Sequence, residues 1–239
     1  MIKSSLINKL VVTEKKSIEE VLSTKGNVFS YLNPVSYINS LDNKELFDDI
    51  DGLFADGSIL VNAIKALYGV QITRRSFDMT SMAPQLFSFA NANKKSVCIV
   101  SSHQDKLEKA VALLTKKYPN IDWKGCRNGY FKNEEEMDEA AKIVVQNDTD
   151  FLIVGMGAVL QEKFLIKCKK AGYQGIGFTC GGFIHQISET LNPIYYPEWV
   201  NKYNLRFFYR MYKEPHTRKR YAVAAFAFPY RFLKERFIG

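Results

Sequence analysis

Five short apolar runs punctuate this chain: VFSYL at 28–32, LFADG at 53–57, SVCIVSS at 96–102, DFLIVGMG at 150–157 and GIGFTCGG at 175–182. None alternates polar with apolar residues as a half-exposed strand would, so each reads as a strand buried on both faces. Helical spacing follows them: from about Pro34, in SILVNAIKAL, over 104–117, over 134–146 with acidic residues in its first turn, and after Gly157. IDWKG at 121–125 adds one more short strand. Strand–helix alternation of this kind predicts an α/β fold, a doubly wound, mainly parallel, Rossmann-like sheet covered on both faces.

In such sheets ligands bind outside the carboxyl ends of the strands. Four loops fall there: Asn33-Pro34, Asp56-Gly57, 155–162 and Gly181-Gly182. Asp56 sits at a strand end beside a glycine. It can take a proton from a hydroxyl nucleophile, or it can cap the helix that follows. GMGAVLQEKFL has two close glycines, but Leu160 occupies the third position of a GxGxxG fingerprint, so a dinucleotide site is a weak reading. Gln161 can donate and accept hydrogen bonds to a base or sugar edge, or simply belong to a solvated helix face. Arg74 and Arg75 supply guanidinium groups able to reach a diphosphate.

The last forty residues break the pattern. From Asn201 on there are ten Lys or Arg against Glu214 and Glu235, an excess that equals the whole chain's +8. Aromatics are interleaved with these cations, and Pro215 and Pro229 predict two or three separate helices. The expected division is therefore a domain over 1–200 and a basic, aromatic, helical appendage over 201–239. Cations with aromatics suit an anionic membrane surface. A basic tail also suits nucleic acid, but no DNA- or RNA-reading motif is present. With 46% apolar and 24% charged residues the chain should bury an ordinary core. It has no run able to span a bilayer and no secretory leader at MIKSSLINKLVV, so a cytoplasmic protein is expected. Its four cysteines and three histidines are scattered, which asks for neither a disulfide framework nor a metal site.

Taken in order, several segments resemble the WecG/TagA/CpsF glycosyltransferases, family 26 of that class. They are the strand-end Asn33, ADG at 55–57, the arginine before Thr80, NGYF at 128–131, GMGAVLQE at 155–162, the Gly181-Gly182 pair and LRFFYRMYKEPHTRKRY in the tail. The resemblance implies an inverting transfer of an N-acetylmannosamine-like or related hexose from a UDP-sugar to a polyprenyl-diphosphate-linked sugar. The setting would be teichoic acid, capsule or exopolysaccharide synthesis, with the enzyme peripheral on the inner face of the cell membrane. It implies no cofactor and no metal. Asp56 matches the proposed base. Asn33, Arg75, Gly155, Gln161, Glu162, Gly181 and Gly182 match positions lining the pocket, and Arg210 and Arg220 match tail arginines that meet phosphates. Within that assignment Gln161 is the ligand contact and Glu162 the support of the helix start. A homo-oligomer is allowed for, and no nucleic-acid partner is implied.

The sequence departs from that pattern around the pocket. Val159 and Leu160 replace a Pro-Lys pair, His185 replaces a carboxylate, YYP at 195–197 replaces RAP, and Thr217 stands where arginine is common. A non-catalytic relative that binds nucleotide-sugar or polyprenyl lipid within a synthesis complex is the rival expectation.

Overall fold

The computed structural model describes residues 4–189, 196–202 and 205–237. In chain order, helices α1 (Ser5–Glu14) and α2 (Ile18–Ser23) lead into β1 (Val28–Leu32), α3 (Pro34–Asp42) and α4 (Lys44–Asp48). Then come β2 (Gly52–Ala55), α5 (Ser58–Tyr68), α6 (Met82–Ala92), β3 (Ser96–Ser101), α7 (Gln104–Lys117) and β4 (Asp122–Trp123). They are followed by α8 (Glu134–Gln146), β5 (Phe151–Gly155), α9 (Leu160–Lys170), β6 (Ile176–Thr179) and α10 (Phe183–Glu189). The tail forms α11 (Glu198–Lys202), α12 (Arg206–Lys213), a 3₁₀ turn over Pro215–Thr217 and α13 (Arg218–Phe237).

The six strands make one sheet in the order β2-β1-β6-β5-β3-β4, and every pair is parallel. The expected α/β architecture is therefore the observed one. Side chains alternate across the strands, so β1, β2, β3 and β5 feed both cores. Val28 and Leu32 of β1 join α1, α3, α5, α8, α9 and α13 on one face. Phe29 and Tyr31 join α2, α6, α7 and α10 on the other. On that second face Phe54, Phe29 and Phe178 stack across three neighbouring strands, with centroids 5.7 and 5.3 Å apart.

The tail is held to the first face. Tyr37 of α3 meets the rings of Phe228 and Phe232 at 5.8 and 5.1 Å, and Arg231 pairs with Asp42. Near the helix end, Arg236 donates to the Leu67 carbonyl at 3.2 Å. The expected break at Pro215 is present as the 3₁₀ turn, but α13 runs through Pro229 without ending. Pro229 and Ala225 lie on the exposed side, so the carbonyl robbed of its partner there can turn to water.

Candidate active site

A cavity of about 1030 Å³ opens at the carboxyl ends of the strands. All four loops predicted from the sequence line it, together with a fifth after β3, Ser101 to His103. Of the predicted residues, Asn33, Asp56, Gly155, Gln161, Gly181, Gly182, Arg210 and Arg220 line the cavity; Arg75 and Glu162 do not.

Asp56 follows β2 directly, and its backbone N–H donates to the Leu32 carbonyl at 2.7 Å. It does not cap α5: that position belongs to Gly57, whose φ of +93° needs glycine, and no side chain caps the helix. Instead its Oδ1 accepts the hydroxyl of Ser76, while Oδ2 has no hydrogen-bond partner among the described residues. Tyr31 lies on the same wall with its hydroxyl buried and without a partner. Burial, then the charge of Asp56, raises its phenol well above the ordinary tyrosine range, so it stays neutral.

Asn33 caps α3, its Oδ1 accepting from Val35 and Ser36 N–H at 3.0 and 3.1 Å, while Ser36 Oγ answers Asn33 N–H at 2.8 Å. The carboxamide is thereby fixed at the cavity edge.

Gln161 and Glu162 have separate positions. Gln161 reaches the wall, where its Oε1 accepts from Gly181 N–H at 3.1 Å and its Nε2 donates to Glu162 at 2.9 Å. Glu162 is fully buried beneath it, accepting Ser30 Oγ–H and Val159 N–H at 2.7 Å each. Thr179 donates to Ser30 at 3.0 Å, so the network joins β1, β6 and the start of α9. Burial pushes the Glu162 carboxyl up, against hydrogen bonds that favour its charged form. Glu162, expected at the pocket surface, does not line the cavity: it supports the wall from behind and holds the start of α9. Gly155 admits the close approach of the β6 turn, since a Cβ there would lie 2.6 Å from both Cys180 Sγ and the Gly181 carbonyl. The Cys180 thiol, pushed up to about 12 by burial, supplies no thiolate.

The arginine assignment also needs correction. Arg75 Nε lies 4.0 Å from Glu14, its Nη1 lies 3.5 Å from the Lys16 carbonyl, and its guanidinium covers the Phe54 ring at 5.6 Å. Arg74 is the neighbour that lines the cavity, bonded to Asp78 at 3.1 Å. The Arg75 N–H donates to the Ala55 carbonyl at 2.9 Å, tying this segment to the end of β2.

From the tail, Arg206 bridges to Asp78 at 2.7 Å and to Thr80 at 2.9 Å, with Tyr196 beneath its guanidinium at 4.6 Å. Arg210 pairs with Glu214 at 3.2 Å and lies over the Gly181-Gly182 turn, 3.7 Å from where a Gly182 Cβ would be. Arg220 is exposed at the mouth. Lys106, also in the lining, lies 2.8 Å from His185 Nδ1 and 2.7 Å from Glu189. The sequence reading gave no role to Ser76, Tyr31, Arg206 or Lys106: Arg206 stands in the tail motif only as one cation among ten, and nothing local places the other three at the cavity. The departure at Tyr195 lies outside the described residues.

A carboxylate with one oxygen held, sharing a cleft with guanidinium groups at the carboxyl edge of a parallel sheet, defines an α/β enzyme equipped for an anionic substrate. The Glycosyl transferase WecG/TagA/CpsF family matches residues 9–239, and the chain belongs to that glycosyltransferase family. It is 31% identical over 227 residues, 94% of each chain, to the UDP-Gal:alpha-D-GlcNAc-diphosphoundecaprenol beta-1,4-galactosyltransferase of Shigella boydii. It is 23% identical over 223 residues, 92% of this chain and 83% of the other, to the N-acetylglucosaminyldiphosphoundecaprenol N-acetyl-beta-D-mannosaminyltransferase of Bacillus subtilis (strain 168).

Proposed function

We propose that this enzyme transfers a hexose from a UDP-sugar to a sugar carried on a polyprenyl diphosphate, with inversion. The observation that carries the reading is Asp56, held through Oδ1 by Ser76 in a cavity that Arg74, Arg206, Arg210 and Arg220 also line. Oδ2 accepts the proton of the acceptor hydroxyl as that oxygen attacks the anomeric carbon. The bond from that carbon to the UDP oxygen breaks, and the pair of electrons leaves with the diphosphate. The cavity's guanidinium groups stabilise the charge that develops there. Gln161 and Asn33 orient sugar or nucleotide. Relatives that use galactose and N-acetylmannosamine make UDP-galactose and UDP-N-acetylmannosamine the first donors to try.

The reading includes catalysis without a metal, so activity should survive EDTA. It also includes attachment to the inner membrane face. Among the described residues no helix is long and apolar enough to cross a membrane. α13 nevertheless exposes Val223, Phe226, Tyr230, Leu233 and Phe237, spaced three and four residues apart, beside Lys219, Arg220 and Lys234. Such a face lies in a bilayer interface, where one helix binds reversibly.

Thermal melting with UDP and UDP-sugars is the first test, followed by sugar transfer to a GlcNAc-diphosphate lipid by wild type and Asp56→Asn. Stabilisation by UDP with transfer abolished in the variant is expected. Absence of any uridine-nucleotide binding would sink the proposal, and unchanged transfer by Asp56→Asn would remove Asp56 as base.

A further inference from the structure

Part of the cavity lining is an exposed apolar rim. Val35, Ile59 and Leu160 stand in the first turns of α3, α5 and α9, three helices that cover the same face of the sheet, and all three line the cavity. Ile59 is 47% and Leu160 39% exposed, at positions where a polar residue would ordinarily meet water. The strand order sets the ends of this rim roughly 14 Å apart, three strand spacings. The turn that carries Leu160 is fixed, since Val159 before it keeps φ at +74° and gives its N–H to Glu162 at 2.7 Å. The wall on the other face of the sheet carries Lys106 and His185 beside Phe77 and Phe183.

The apolar rim has an exit. α13 begins at the cavity mouth, where Arg220 and Tyr221 line it, and then runs along α3 on the same face as the rim. Its outward apolar stripe begins at Val223, about one turn past Arg220. A ligand with an anionic head and a long hydrocarbon tail matches this sequence of surfaces: cations at the mouth, an apolar rim, then an apolar helix face.

We propose that Val35, Ile59 and Leu160 receive the first isoprene units of the lipid acceptor, with its diphosphate near Arg220 and the remaining chain leaving along α13. This rests on the transferase reading above and adds the place where the lipid is read.

Calorimetry on the full chain, with geranylgeranyl diphosphate and isopentenyl diphosphate as probes, tests it without relying on sugar transfer. Wild type should bind the longer probe at least about ten-fold more tightly. Ile59→Ser/Leu160→Ser should lose most of that discrimination while keeping its melting temperature and its stabilisation by UDP, because both side chains are already exposed. Equal affinity for the two probes in wild type, or full discrimination in the double variant, would overturn the assignment. Discrimination that follows protein self-association rather than chain length would give the rim to a second copy and equally overturn it. Chain discrimination without any UDP effect would instead remove the transferase reading and leave the rim standing.

Discussion

The hydroxyl of Ser76 donates to Oδ1 of Asp56, joining a loop residue to a carboxylate twenty positions earlier in the chain. The bond holds one carboxylate oxygen and leaves the other for the cavity. Ser76 is buried, so its own alternatives are few. Ser76→Ala should therefore lower kcat about 10- to 100-fold with little change in donor KM, and Asp56→Asn should lower it about 10²- to 10⁴-fold, the range of general base catalysis. Steady-state kinetics beside melting curves would check this. A Ser76→Ala variant with wild-type kcat would mean that the hydrogen bond does not orient the base.

Arg74 and Arg75 should separate cleanly although they are neighbours. Arg74→Ala removes a cavity cation and should raise the KM for UDP-sugar several-fold. Arg75 faces Glu14 and the Lys16 carbonyl, so Arg75→Ala should leave that KM unchanged and cost about 1 kcal/mol of stability or less. The reverse pattern in measured KM values would show that the two side chains are exchanged in solution.

Glu162 offers a test of the buried network. Glu162→Gln supplies an amide where Val159 N–H needs an acceptor, and should cost about 1–3 kcal/mol. The pH dependence has a definite sign. Folding raises this carboxyl above its ordinary value, so between the unfolded and folded values the native state holds a proton that the unfolded chain has released. Its contribution is complete below the unfolded value and declines as pH rises from there through the folded one. Denaturant unfolding across that window should show this decline in wild type but not in Glu162→Gln.

Phe232 is the anchor of the tail, fully buried between Tyr37 and Tyr68 with centroids at 5.1 and 5.7 Å. Phe232→Ala should destabilise the packed tail by about 3–5 kcal/mol, seen as early exchange of α13 amides. Phe226, 85% exposed on the opposite side, should behave differently: Phe226→Ser keeps stability and weakens binding to anionic liposomes. Equal liposome binding by the two proteins would detach the apolar stripe from membrane contact.

Much of the frame was legible in the sequence because its causes are local. Buried strands such as VFSYL and SVCIVSS have no polar alternation, and each glycine, Asn or Asp at a strand end marks a turn into a helix. The cavity's place follows, since parallel strands put all those turns on one edge. The ordered motifs were enough to indicate the family. Which side chains share the cavity was decided only by tertiary structure. Arg74 lines the cavity while Arg75 turns to Glu14 and the Lys16 carbonyl, in a segment tied to β2 by a long-range backbone bond from Arg75 N–H to the Ala55 carbonyl. Ser76 meets Asp56, and Arg206 meets Asp78, across chain separations of 20 and 128 residues that carry no local signal. Glu162 went behind the wall because a carboxyl at that helical position turns toward Ser30 on the neighbouring strand. Pro229 stayed within a helix because packing by Phe228 and Phe232 outweighs one lost hydrogen bond on the solvent side. Local propensity sets the elements and their order; only long-range packing selects which face of each one looks into the site.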